Sequence, residues 1–158
     1  MADRPQVVET PRIPRIGPYS QAMRVGNLLF TAGQPGIDPR TGAVAGETFE
    51  AQARQAIENL RTVLEDAGSG LESVVKTTCF VADATAFGKL NELYAEYFPS
   101  DPPVRSTPIV SLPRGLLFSI EAVALAGDRR PAPTKHVQPS RARPRSRGGP
   151  ARRSRPRA

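Results

Sequence analysis

Thr48-Phe49-Glu50-Ala51-Gln52-Ala53-Arg54-Gln55-Ala56-Ile57-Glu58-Asn59-Leu60-Arg61-Thr62-Val63-Leu64-Glu65-Asp66-Ala67-Gly68 is the stretch from which the fold is read. Phe49, Ala53, Ala56, Ile57, Leu60, Leu64 and Ala67 recur at helical spacing, so one face of a helix is apolar. Thr48 supplies an N-cap side chain and Gly68 a stop. Glu50, Arg54, Glu58, Arg61 and Glu65 occupy the opposite face, where Glu50–Arg54 and Glu58–Arg61 suit surface pairing. Upstream, Ala22 to Thr31 reads as extended chain with a hairpin turn at Gly26-Asn27, followed by a loop from Gly33 to Gly46. Downstream, Val74 to Val81 is a strand, and Asp83 caps a second helix. That helix carries the stripe Phe87, Leu90, Tyr94 and Tyr97, read as core, and Pro99 ends it. Val104 to Val110 and Leu116 to Leu125 are the last strands, joined by a loop with Pro113 and Gly115. The order β-β-α-β-α-β-β predicts an α+β layer, a mixed sheet with two helices on one face.

The chain has 158 residues and a net charge of +7, but the charge is unevenly spread. Met1 to Gly127 holds 11 Lys/Arg against 14 Asp/Glu, a net of −3; Asp128 to Ala158 holds 11 Lys/Arg against one acid, a net of +10. The segment 128–158 is rich in Pro, Arg, Ser and Gly and is expected to be a disordered basic tail. Residues 1–13 are expected to be a flexible N-terminal segment, which leaves 14–127 as one folded domain. The opening residues lack a signal-peptide pattern, and no apolar run nears the roughly 20 residues of a membrane helix. The single cysteine, Cys79, lies in an apolar run and reads as a strand-buried thiol; the single histidine, His136, is in the tail. Metal sites built on histidine or cysteine are therefore not expected, and the chain reads as cytoplasmic. The second sheet face carries Met23, Val25 and Leu28 and predicts an oligomer that covers it.

Two lone charges stand out in the extended runs: Arg105 in Pro102-Pro103-Val104-Arg105-Ser106-Thr107, and Glu121 in Phe118-Ser119-Ile120-Glu121-Ala122-Val123. A charge that loses its water without a partner costs on the order of several kcal/mol. Each therefore needs the other as an ion-pair partner, or a small anion bound between them.

Arg15-Ile16-Gly17-Pro18-Tyr19-Ser20-Gln21, Phe30-Thr31-Ala32-Gly33-Gln34, and Val75-Lys76-Thr77-Thr78-Cys79-Phe80-Val81 with Asp83 resemble the Rid family of reactive intermediate deaminases, also called the YjgF family. Asn91 with Tyr94 and Phe98, Pro103-Val104-Arg105-Ser106, and Ile120-Glu121-Ala122 continue the resemblance in order, from about Pro14 to Gly127. The resemblance implies a chorismate-mutase-like fold and a homotrimer with clefts between neighbouring subunits. It also implies hydrolysis of 2-imino acids or their enamine tautomers, such as 2-aminoacrylate, to 2-keto acids and ammonia. Arg105 stands at the arginine position expected of deaminating members.

What the resemblance implies for individual residues is chemically coherent. Arg105 offers a planar fork that anchors and orients a carboxylate. Glu121 would hold a water near the imine carbon or move a proton as the adduct collapses. Tyr19 would cap the cleft, and the Gly33 amide would bind a substrate oxygen. Thr107 and Asn91 would line the cleft. No cofactor is expected, because imines already hydrolyse in water and positioning with electrostatics supplies the acceleration. The chain departs from the family at Ala32, where many members carry Ser, and at Thr107, where several carry Cys. Pro108 follows, and the stretch from Arg105 to Glu121 is one residue shorter than in archetypal deaminases.

Two other function classes remain open at this point. The same cleft could bind small carboxylates or keto acids without turnover. The basic tail could make weak, salt-sensitive, non-specific contact with nucleic acid, although it has no interleaved aromatics and the fold has no histidine pair for RNA cleavage.

Overall fold

The computed structural model describes residues 4–127; the basic tail lies outside the described residues. The elements are β1 (Gln6–Val8), β2 (Ala22–Val25), β3 (Leu28–Thr31), β4 (Gln34–Pro35), α1 (Phe49–Asp66), β5 (Val74–Val81), α2 (Phe87–Tyr97), β6 (Val104–Ser106) and β7 (Phe118–Leu125). They form one sheet in the order β1-β2-β3-β7-β5-β6, with β4 paired to β7 beyond β3. Among the described strands only the β5–β6 pairing is parallel, so the sheet is mixed, as the element order predicted.

The α1 helix begins where Thr48 accepts a hydrogen bond from the Ala51 amide at 3.2 Å. Its buried face contains Ala53, Ala56, Ile57, Leu60 and Leu64 as the spacing predicted, but also Gln52, Asn59 and Val63. The two buried amides tie loops to the helix. Asn59 Nδ2 donates to the carbonyls of Pro35 and Ile37 at 3.0 and 2.8 Å. Gln52 donates to Gly46 O at 3.0 Å and accepts from Leu117 N at 2.8 Å. Such loops expose backbone groups to an apolar wall, and a side-chain amide satisfies both a donor and an acceptor. The expected surface pairs form, Arg54–Glu50 at 3.0 Å and Arg61–Glu58 at 2.8 Å.

Ala22 to Thr31 is two strands, paired from Val25↔Leu28 to Ala22↔Thr31. Gly26 turns the chain at φ +59°, a conformation that glycine adopts at no steric cost. The expected strand from Val104 to Val110 stops at Ser106. Pro108 has no N–H for a ladder; beyond it only Ile109 bridges Val81, with Val110 N donating to Val81 O at 2.9 Å. In α2, Leu90 and Tyr94 are buried and Leu93 joins them, whereas Phe87 is 47% exposed, correcting its assignment to the core.

Residues 6–13 correct the expectation of a loose N-terminal segment. β1 pairs with β2 from Gln6↔Arg24 to Val8↔Ala22, and Val8 is only 2% exposed. Arg12 then clasps α1 through Asp66 at 2.7 Å and Glu65 at 3.0 Å. Val7, Val8 and Ile13 carry no periodic signal among polar residues and prolines; the open edge of β2 gives them a place to pair.

The core sits between the helices and one sheet face. Phe118 is fully buried and meets the Phe49 ring edge-on, with centroids 5.5 Å apart. Cys79 is fully buried as expected, and burial pushes its thiol up from 9.0 to about 11. Replacing Phe118 with Ala should cost about 3–5 kcal/mol in urea unfolding, the usual penalty for emptying a core aromatic site. The thiol gives a pH prediction as well. Between pH 9.0 and about 11 the unfolded thiol is ionised and the folded one is not, so the unfolded state binds fewer protons and stability falls as pH rises. Cys79→Ala should remove that component, and parallel denaturation curves across this window would check it.

Candidate active site

Pairing partners in a sheet share a face, and neighbours along a strand alternate. Thr77 pairs with Arg105 on β6 and with Ala122 on β7; Thr78 pairs with Glu121. Thr77 is fully buried beneath the helices, its Oγ1 2.7 Å from the Tyr94 hydroxyl. Arg105 therefore points toward α2, and Glu121 points to the sheet face without helices. Arg105 and Glu121 do not meet within one chain, and no ion pair joins them.

The surroundings of Arg105 are specific. Its Nη2 donates to Asn91 Oδ1 at 2.7 Å. Its guanidinium carbon lies 4.7 Å from the Tyr94 ring centroid and 5.5 Å from that of Phe87. The aromatic faces attract the cation, and the Asn91 amide holds one edge of the fork without neutralising it. Arg105 is half-buried and, among the described residues, has no carboxylate partner. Burial holds the Tyr94 hydroxyl above its ordinary value, which keeps it a neutral partner for Thr77. A cation fixed on one side and unpaired on the other is suited to a small anion. Thr107 lies just past β6, half-buried.

The remaining predicted residues occupy two other places. Glu121 lines a hollow of about 150 Å³ with Phe30, Thr31, Lys76, Thr78 and Val123. It arises at a slip in the ladder: β3 pairs Phe30 with Val123, while β4 pairs Gln34 with Ile120, so the outer chain has one extra residue opposite Glu121–Ala122. Thr31 Oγ1 takes up the Ala122 amide there at 2.9 Å. Such bulges re-aim side chains at functional sites. Tyr19 and Gly33 share a separate apolar cleft with Ile13, Ile16 and Gln34. A Cβ on Gly33 would come within 3.0 Å of Ser119 Oγ, so the glycine allows a close approach to β7.

One chain thus brings Arg105 and Asn91 together, and separately Tyr19 and Gly33, while Glu121 stands apart. Sequence reasoning missed Phe87, Tyr94 and Thr77 as the setting of the arginine, since Phe87 and Tyr94 read as core. Phe87, Asn91 and Tyr94 stand at i, i+4 and i+7, and that shared helix face was the available signal. Among the described residues no group of three His, Cys, Asp or Glu side chains could hold a metal, and no helix is long and apolar enough to cross a membrane.

A family model described as endoribonuclease L-PSP matches residues 10–126. A RutC family protein from Pyrococcus horikoshii is 46% identical over 121 residues, covering 75% of this chain and 96% of that protein. A mouse protein named 2-iminobutanoate/2-iminopropanoate deaminase is 40% identical over 124 residues, covering 77% and 92% of the two chains. The crystal structure of the YjgF gene product from E. coli matches with a TM-score of 0.72 at 37% identity, over 76% of this chain and 98% of that one. With the model spanning most of the chain and the fold shared with YjgF, this protein belongs to the endoribonuclease L-PSP family, the YjgF/Rid family.

Proposed function

We propose that this protein hydrolyses 2-imino acids and their enamine tautomers to 2-keto acids and ammonia, without a cofactor. The observation that carries this reading is the half-buried Arg105 fork, braced by Asn91, Tyr94 and Phe87 and lacking a carboxylate partner among the described residues. The relatives named as deaminases support the reaction class.

In this reading the substrate carboxylate takes paired hydrogen bonds from Arg105, which orients the imine carbon. An enamine first takes a proton on carbon to become the imine. Glu121 accepts a proton from a water molecule, whose oxygen bonds to the imine carbon while the C=N electron pair moves onto nitrogen and is protonated. The tetrahedral adduct then collapses: the C–N bond breaks, ammonia leaves, and loss of the hydroxyl proton gives the keto acid. Tyr19 caps the cleft, the Gly33 amide binds a substrate oxygen, and Thr107 lines it.

Because Arg105 and Glu121 face opposite sides of the sheet, the site must combine Arg105 of one copy with Glu121 of another. A homotrimer with clefts between subunits provides that, and the apolar helix-free face supplies a surface to bury. Phe30, Val25 and Leu125 stand 42%, 36% and 45% exposed there, an unusual display for a lone subunit.

Arg105→Ala should slow ammonia release from oxidase-generated imines by about 100-fold or more, as expected for loss of the group that orients the substrate. A parent protein that gains Arg105-dependent thermal stability from keto acids but leaves imine lifetimes unchanged would make it a binder only. The shared site has its own check. Arg105→Ala and Glu121→Gln subunits, each inactive alone, should regain up to about a quarter of the sites when co-refolded in equal amounts, by the statistics of a symmetric ring. No recovery would overturn the shared site.

A further inference from the structure

A cavity of about 440 Å³, separate from the residues assigned to the deaminase site, opens where the ends of α1 and α2 meet the turn before β5. Its lining combines Tyr97, Pro99 and Pro103 with the carboxylates of Glu65, Glu72 and Asp101. Its one cation among the described residues, Arg61, is paired with Glu58 at 2.8 Å. Arg12 spans Glu65 and Asp66, which leaves one negative charge there. Glu72 and Asp101 have no cationic partner within ion-pair distance among the described residues. Across these seven charged residues the balance is −3, from two positive and five negative side chains.

The described chain ends at the rim of this cavity. Ser69 Oγ donates to Leu125 O at 2.7 Å, and Gly127 lies so close to Gly68 that a Cβ would stand 2.1 Å from its carbonyl oxygen. Ser69 and Gly70 line the cavity. Gly127, the last described residue, therefore lies beside it. The 31 residues that follow hold 11 Lys/Arg, one acid and six prolines.

We propose that segment 128–158 of the same chain docks in this cavity, its arginines on Glu72 and Asp101 and its prolines against Tyr97. The chemistry matches on three counts. Guanidinium groups pair with carboxylates and stack on aromatic faces. Proline-rich chain is pre-extended and fits aromatic-lined grooves at low entropic cost. The tether supplies a local concentration in the millimolar range, so individually weak surface ion pairs suffice. The eight residues that follow Gly127, up to Lys135, reach up to about 26 Å, enough to cross the cavity. The negative lining excludes nucleic acid as its occupant. Pro103 lies on the cavity wall two residues before Arg105, so docking also touches the residue that leads into β6, the strand bearing the proposed anion site.

Lys135 is the one lysine of the segment, which makes carbodiimide cross-linking of the full chain a direct test. Lys89, 2.5 Å from Glu92, serves as the internal positive control. At low salt Lys135 should link within its own chain to Glu65, Glu72 or Asp101, and mixing isotope-labelled with unlabelled protein identifies intrachain links. The yield of the Lys135–Glu65 link, whose acceptor both proteins keep, should fall about fivefold in the Glu72→Gln, Asp101→Asn double variant, the effect of removing two surface ion pairs, and fall again at high salt. Both substitutions are near-isosteric, and the Lys89–Glu92 link reports that the variant is folded. Links from Lys135 spread over acids elsewhere, links only between chains, or a yield indifferent to the double substitution would each overturn the proposal. So would salt-sensitive retention of the chain on RNA with no link to the cavity.

Discussion

The antiparallel pairing of β5 with β7, from Val74↔Ala124 to Val81↔Phe118, is the constraint on which the other features depend. These are the two longest strands, and between them they set which residues face the helices and which do not. Cys79, Val81, Phe118, Ile120 and Ala124 go under α1 and α2 because they stand on one parity of that ladder. Glu121 goes to the other face for the same reason. β6 then joins β5 in parallel at Thr77↔Arg105, which carries the guanidinium to the helix side. A slip of one residue would exchange every one of these assignments, so the position of each charge is as firmly specified as the core itself.

That geometry leaves one protein surface chemically incomplete on each side of the sheet. On the helix side, Arg105 is restrained by neutral partners that orient it without cancelling its charge. On the other side, Glu121 sits in a hollow among exposed apolar side chains, with Lys76 nearby but not within ion-pair distance. A bound anion and a second copy answer different halves of this imbalance. In the proposed site the first would compensate the cation, and the second would cover the apolar face and bring a carboxylate across. Catalysis and assembly are then one requirement in this proposal, because neither half of the site has its complement in the same chain.

Much of the fold was legible because it rests on periodicity. The α1 face, its Thr48 cap, the β2–β3 hairpin at Gly26-Asn27 and the long strands β5 and β7 all carry regular patterns over enough residues to be read. What escaped was irregular. β1 is three residues long and depends on an edge that no local pattern announces. Gln52 and Asn59 look like surface residues on a helix, yet loop carbonyls and amides make them buried partners. Thr107-Pro108 cut a strand short where the apolar composition suggested that it continued.

By residue type alone the chain determined that a guanidinium and a carboxylate stand out in extended segments, and the motifs around them pointed to the Rid family. It also determined a mildly acidic body with a strongly basic end, since charge is additive and needs no fold to be counted. Only the tertiary structure decided that Arg105 and Glu121 lie on opposite faces, that Asn91, Tyr94 and Phe87 surround the arginine, and that the described chain ends beside an acidic cavity. The physical reason is the same in each case. Facing, stacking and proximity depend on ladder register and on helix packing between residues far apart in sequence, and no local pattern encodes those distances.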